Sequence, residues 1–364
     1  MRVLICGGGV IGACIASYLS RGGAEALVVE GAGVASAASG RSGGFLALDW
    51  CDGSPLGPLA RRSFALHAEL AARTGNSWGY RRLDTLGLRA SARRGPTADR
   101  SSRLPDWVGG RALLQGRLGT PETTAQVDPG RFTRGMLDAA IAQGARLVPG
   151  RVTDLARSAD GGRVTGAVVE GALLEADAVV VAMGPWSILT SRWLPLPPVY
   201  GLKGNSLVLR TAVPVSPHAL FVEVEAADGS VHTPEVFPRP DGTTYLCGLS
   251  SEQPLPADPR QVAPDAGASD ALRAMAGIFA PPLAAAEVVA VQACYRPVTR
   301  DGLPLMGRVS GIADAYVATG HSVWGILNAP ASGEAMAELI LTGTSSSVDL
   351  RPFDPARLPR AGAS

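Results

Sequence analysis

The chain has 364 residues, 46% of them hydrophobic and 18% charged, and a net charge of +1. That length can hold two cores of ordinary domain size, and the near-neutral balance gives no electrostatic basis for binding nucleic acid or an anionic membrane. Apolar stretches stop well short of a membrane span, and five dispersed cysteines without CxxC spacing suit a reducing compartment, expected to be the cytoplasm, rather than a disulfide framework or metal site.

Arg2-Val3-Leu4-Ile5-Cys6 reads as a buried strand running into Gly7-Gly8-Gly9-Val10-Ile11-Gly12, a glycine turn that opens a helix over 10–21. A second strand, Ala26 to Val29, ends at Glu30, eighteen residues after Gly12. This spacing predicts a dinucleotide site. Gly7 allows the tight turn, Gly9 lets backbone approach a pyrophosphate, and Gly12 lets helix and strand pack closely. The free N–H groups at the helix start, from Val10 and Ile11 onward, face the phosphates. Glu30 can accept hydrogen bonds from ribose hydroxyls. So early a strand leaves no room upstream for a targeting peptide.

A small-residue loop follows from Gly31 to Gly44, then a helix over 56–75 with Leu59, Phe64, Leu66 and Leu70 on its apolar side. Residues 91–105 read as an exposed loop. Asp128-Pro129 starts another helix, with Phe132, Met136, Leu137 and Ile141 facing inward and Gly144 at its end. Strands are expected at 146–148 and 151–156, with Asp160-Gly161-Gly162 turning a hairpin into Val164 to Val169. Ala178 to Ala182 is a fully buried strand running into Gly184.

From 197 the character changes to short alternating strands: Ser206 to Leu209, Leu220 to Glu225 and Thr243 to Gly248. A helix near 269–279 and a strand near 287–293 close this block. Then come strand Ala315 to Ala318, a turn from Gly320 to Gly325, and a helix over 330–342.

Glycine or polar segments after several separate strands are more than a nicotinamide site requires. The chain resembles the D-amino-acid oxidase family of flavoproteins, which includes glycine and sarcosine oxidases. The resemblance spans essentially the whole length. It rests on Gly7 to Gly12 with Glu30, and on Ala38-Ser39-Gly40-Arg41-Ser42-Gly43-Gly44. Val152, at the adenine position, and Ala182-Met183-Gly184-Pro185-Trp186 add to it. Arg296-Pro297 with Asp301-Gly302, and Gly320-His321-Ser322-Val323-Trp324-Gly325-Ile326, complete it.

The resemblance implies FAD as cofactor and an α/β fold: a Rossmann-type FAD-binding domain with an interleaved α+β, mostly antiparallel substrate domain. Residues 1–80, 128–196 and 292–364 are assigned to the first, 81–127 and 197–291 to the second. It also implies oxidation of a small amine or amino acid by hydride transfer to flavin N5, with O2 as the usual acceptor and H2O2 as product. An amine dehydrogenase with another acceptor, and a catalytically idle flavin-bound interaction protein, stay open as alternatives.

Arg296 matches the arginine that grips the substrate carboxylate in that family, the alternative being a structural ion pair. Glu235 stands where glycine oxidase has a tyrosine near the substrate; a carboxylate there repels a carboxylate and attracts an ammonium, the alternative being that it points to solvent. Lys203, the single lysine among 33 basic residues, either assists oxygen chemistry beside the flavin or pairs with an acid. Trp324 walls the pocket or packs in a core. Cys294 lies seven residues before Asp301, the spacing of the cysteine that bonds covalently to flavin in monomeric sarcosine oxidase, the alternative being a buried, inert thiol. The resemblance places Arg41, Ser42 and His321 at the cofactor.

Overall fold

The computed structural model describes residues 1–95 and 103–360. Residues 96–102 of the expected loop 91–105 therefore lie outside the described residues, as do the last four of the expected FAD-binding segment 292–364; at the loop's ends Ser91 closes a strand and Leu104 is buried, so neither is exposed loop. Six α-helices occur among the described residues: α1 (Val10–Arg21), α2 (Gly57–Arg73), α3 (Pro129–Ile141), α4 (Ala268–Phe279), α5 (Pro281–Ala284) and α6 (Gly325–Thr342).

Near-continuous apolar runs build a six-stranded sheet, ordered Leu305–Arg308, Ala315–Thr319, Ala178–Val181, Arg2–Cys6, Glu25–Glu30, Arg146–Pro149. Every pairing is parallel except the first. Strand alternation divides its side chains between two cores. Val3, Ile5, Val28 and Val180 pack under the helices, while Leu4, Val29, Val179 and Val317 pack beneath a three-stranded sheet carrying Leu155 and Ala167. The helix layer is held close by small residues: a Cβ on Gly333 of α6 would lie 2.7 Å from Cys14 of α1. Asp128 caps α3 as its sequence predicts, accepting from the Arg131 N–H at 2.7 Å. Ile141 does not face inward; as the last residue of α3 it is 42% exposed, because the helix ends before its next turn could bury it.

A second sheet holds the strand order Glu287–Val298, Tyr200–Arg210, Thr243–Ser251, Glu235–Pro238, His218–Glu225, Asp84–Ser91, Ala112–Gly119. It is antiparallel apart from the pairing of His218–Glu225 with Asp84–Ser91. Helices α4 and α5 cover one face around Leu207, Leu220, Leu246 and Phe279. Its other face turns Phe237, Tyr245, Phe221 and Cys247 toward the first sheet.

Two differences from the sequence reading concern the site. The strand Glu287–Val298 pairs along its whole length with Tyr200–Arg210, so the expected division at 292 falls in mid-strand. Helix α6 begins at Gly325 and not at 330; Pro330 sits inside it, where neighbouring side chains take over the backbone groups it strands.

Candidate functional site

The first turn is built as its glycines predict. Gly7 has φ +113°, and a Cβ there would lie 2.5 Å from the Ala182 carbonyl oxygen. A Cβ on Gly12 would meet the Gly7 carbonyl oxygen at 2.0 Å. The Val10 N–H, at the start of α1, donates to Ser39 Oγ at 2.9 Å, which ties the 31–44 loop to the helix N-terminus. Glu30 accepts backbone N–H groups from Gly8 at 2.7 Å and Ala32 at 2.6 Å. It thereby fixes the loops on both sides of itself.

Between the two sheets runs a continuous cavity of about 810 Å³, within the ~300–1,000 Å³ of small-molecule sites. Gly7, Gly9, Val10, Ile11 and Glu30 line one end. Ser39, Ser42, Gly43 and Gly44 border its path, with Val152, Ala182, Gly184 and Trp186 along the side. Arg296, Cys294, Glu235 and the stretch His321 to Ile326 border the other end. Two helices, α1 and α6, thus open their N-termini on one elongated space, and each favours negative charge there.

The donor set fits a dinucleotide carrying a redox ring. Ser42 Oγ borders the cavity, buried and without a partner. The glycine cradle leaves no room for a Cβ at Gly7, and at Gly43 a Cβ would lie 2.3 Å from the Phe237 ring. His321 accepts or donates at Nε2 with Ser332 Oγ, 3.1 Å away, while its buried Nδ1 has no partner. Burial pushes His321 down to about 3, so the ring is neutral and can offer one nitrogen to a ligand.

Four residues expected at the site do not border the cavity. Gly12 acts by close packing instead, and Gly320, at φ +79°, sets the turn before His321. Arg41 reaches away to donate from Nη1 to the Ala293 carbonyl at 2.8 Å, clamping the loop to the second sheet. Lys203 turns from the cavity to an ion pair with Asp265, which also accepts from Asn205 Nδ2 and Ser251 Oγ, each at 2.9 Å. The lysine hydrogen bond, first among these, holds the Asp265 carboxyl down at about 2. The acid-pairing alternative is therefore the one the geometry realises.

Arg296 donates from Nη2 to Ser250 Oγ at 2.6 Å; its Nε is buried and unpartnered, and among the described residues it forms no ion pair with a carboxylate. Burial raises the Cys294 thiol above its ordinary value, with Arg296 and Arg41 opposing, so the sulfur stays protonated. Trp324 meets Trp50 edge-on at 6.3 Å between ring centroids, beside the 55%-exposed Val323.

Sequence reasoning missed Phe45, Trp50, Phe221, Phe237 and Tyr245, all of which border the cavity. Alternation held the signal for three of them: Phe221, Phe237 and Tyr245 share one sheet face. Only the pairing of their strands reveals that this face is the inner one.

The family model described as FAD dependent oxidoreductase (DAO) matches residues 2–339. An oxidoreductase of Schizosaccharomyces pombe is 29% identical over 97% of both chains. A glycine oxidase of Geobacillus kaustophilus is 29% identical over 98% of this chain and 96% of its own. The crystal structure of glycine oxidase from Geobacillus kaustophilus superimposes with a TM-score of 0.77 at 26% identity, covering 98% of this chain and 99% of that one.

Proposed function

We propose, from the premise that this chain belongs to the DAO family of FAD-dependent oxidoreductases, that it oxidises a small amine or amino acid at its carbon–nitrogen bond. FAD is its cofactor. When bound, FAD supplies hydride acceptance at N5, and in this reading dioxygen takes the electrons and leaves as peroxide.

The observation that carries the substrate class is Arg296. Its guanidinium borders the cavity with a buried, unpartnered Nε and, among the described residues, no ion pair with an acid, meeting the Glu235 charge only through space. A structural arginine in such a place is ordinarily paired; an unpaired one suits a carboxylate brought by the substrate. The serine hydroxyl of Ser250 fixes one arm of the fork, leaving the others to orient the ligand. Trp50, Trp324 and Phe221 border the same end and exclude water from the reacting carbon. Little proton chemistry is asked of the protein beyond accepting the amine in its neutral form. The glycine oxidase relative supports amino-acid chemistry, while the equally long match to an oxidoreductase without a stated substrate leaves glycine unassigned. The five free cysteines suit the reducing cytoplasm as the location.

The test is anaerobic titration of the FAD-loaded enzyme with D- and L-amino acids and N-methyl amines, reading loss of the visible flavin bands. Bleaching that Arg296→Leu weakens for carboxylate-bearing substrates supports the reading. A panel with no bleaching sinks it. Readmitting air then separates oxygen, by peroxide formation, from another electron acceptor.

A further inference from the structure

Glu235 occupies a setting that an amino-acid oxidase for glycine does not need. On its sheet face it lies opposite Phe221 on one neighbouring strand and opposite Cys247 on the other. Phe237 follows two residues later on the same face, and Tyr245 stands opposite Phe237. The Phe221 ring centroid is 4.9 Å from Trp50, 5.2 Å from Phe45 and 5.7 Å from Phe237. A carboxylate thus projects into an aromatic corner of the cavity. Its one hydrogen-bond partner is the Cys247 thiol, a weak donor, with Sγ 3.7 Å from Oε2. Among the described residues no Lys, Arg or His forms an ion pair with it, and the Arg296 charge acts on it only through space.

The geometry points to a substrate with a second, non-reacting cationic nitrogen, an amino acid with a basic side chain, whose distal ammonium is held by Glu235 among these rings. This rests on Arg296 gripping the α-carboxylate. An amino acid carries its α-amine and α-carboxylate on one carbon, so the reacting nitrogen stays at the Arg296 end. Arg296 and Glu235 belong to strands three places apart in the sheet. At ~4.8 Å per strand that is a lateral backbone offset of about 14 Å, with Arg296 also four residues further along by the strand registers, and the two long side chains together with a ligand side chain of several carbons span it. A carboxylate pressed on the reacting nitrogen would also hold it protonated and keep its lone pair from assisting hydride loss. Glu235 at the distal end avoids this conflict. The ring faces add cation–π attraction to the charge pairing, and apolar methylenes fit the same walls. The ligand supplies the direct ion-pair partner that Glu235 lacks among the described residues, where Arg296 acts on it only through space.

Lysine and norleucine decide it, since they differ only by the terminal ammonium. The FAD-loaded enzyme is titrated anaerobically with both enantiomers of each, alongside glycine, following flavin bleaching. Half-bleaching is expected at a concentration about tenfold lower for one lysine enantiomer than for norleucine, the scale of a desolvated charge pair. In Glu235→Gln, the two approach equality. Norleucine matching lysine in the unmodified enzyme overturns the inference without any variant, as does a Glu235→Gln protein that keeps the preference. Bleaching by glycine or norleucine with no lysine preference leaves amino-acid oxidation standing and rejects the distal pocket. If nothing bleaches, oxidation itself falls, and binding decides the pocket. A saturable shift of the oxidised flavin spectrum with lysine, absent with norleucine and in Glu235→Gln, supports it; no shift with lysine rejects it.

Discussion

His67 Nε2 lies 2.9 Å from the Ile326 carbonyl oxygen, the backbone acceptor that Pro330 leaves without its helical donor. The same nitrogen is 3.2 Å from the Leu327 carbonyl, whose usual donor, the Ala331 N–H, turns to Ser63 Oγ at 3.1 Å. Two residues one turn apart on α2 therefore complete the ladder of α6 where proline breaks it. Both partners of Nε2 are carbonyls, so that nitrogen carries the proton, and burial pushes the imidazole down to about 4. The first turn of α6 borders the cavity at Gly325 and Ile326. His67→Leu is expected to cost about 1–3 kcal/mol by stranding buried carbonyls, seen as a lower Tm. It also loosens the helix end that faces the cofactor, seen as faster loss of FAD on dilution. His67→Gln, which can still donate, should recover part of both. An unchanged FAD release rate in His67→Leu would separate the staple from the cofactor.

Gly12 gives a sharper test of the phosphate end. A methyl group there would stand 2.0 Å from the Gly7 carbonyl oxygen and 3.3 Å from the Ile5 side chain, and the first of these is backbone in the cradle itself. Gly12→Ala must push α1 away from the strand, which carries the helix N-terminus off the pyrophosphate. The expected protein is folded but colourless as purified, with at least about tenfold weaker FAD affinity, equivalent to ~1.4 kcal/mol. Flavin fluorescence titration measures it. Full yellow colour in Gly12→Ala would mean that the close approach is not needed for binding.

The legibility of the sequence differed between the two ends of the cavity. The phosphate end is local: Gly7 to Gly12 and Glu30 lie within one strand–helix–strand unit, and each residue type has a fixed reason that survives without knowing the rest of the fold. The substrate end is not. Glu235, Phe221, Tyr245 and Arg296 come from four strands whose order in the sheet is not their order in the chain. Lys203 shows the cost. Its oddity as the sole lysine was visible, but Asp265, 62 residues on, was not a predictable partner. The strands Asp84–Ser91 and Ala112–Gly119 also went unread, because one runs parallel to a strand more than 120 residues away and neither has a tight-turn signal.

Lys203→Met should accordingly act on stability and leave oxygen reactivity alone. It strips Asp265 of its first partner in a network that also holds Asn205 and Ser251. The expected loss is roughly 1–3 kcal/mol near neutral pH. Asp265 has its folded pKa depressed to about 2, so its contribution is present above the ordinary aspartate value and fades as pH falls toward 2. The difference in Tm between the two proteins therefore shrinks in acid. Reoxidation of the reduced flavin by air, followed by stopped flow, should match the unmodified enzyme. A slowed reoxidation would restore a role for this ammonium in the oxygen step.

Glu235 predicts the opposite sign. Burial raises its pKa above the ordinary glutamate value, and Arg296 and the Cys247 thiol pull it part of the way back; the Tyr245 hydroxyl, which donates to the Arg41 carbonyl, feels its charge through space, its own pKa driven well up chiefly by burial. Because the folded value exceeds the unfolded one, the fold binds the extra proton, and stability falls as pH rises through that window. Wherever it is ionised in the ligand-free enzyme, this carboxylate has no direct ion-pair partner among the described residues and only the through-space charge of Arg296, so Glu235→Gln should there be the more stable protein, by about 0.5–2 kcal/mol. The two Tm curves converge in acid, where Glu235 is protonated. Lysine should reverse the order, since only the ionised carboxylate gains from a distal ammonium, and its affinity should climb with pH until Glu235 is fully charged. Differential scanning fluorimetry across pH, with and without lysine, reads both effects. A Glu235→Gln protein that is less stable than its parent at neutral pH would show that the fold relies on this carboxylate and does not reserve it for a ligand.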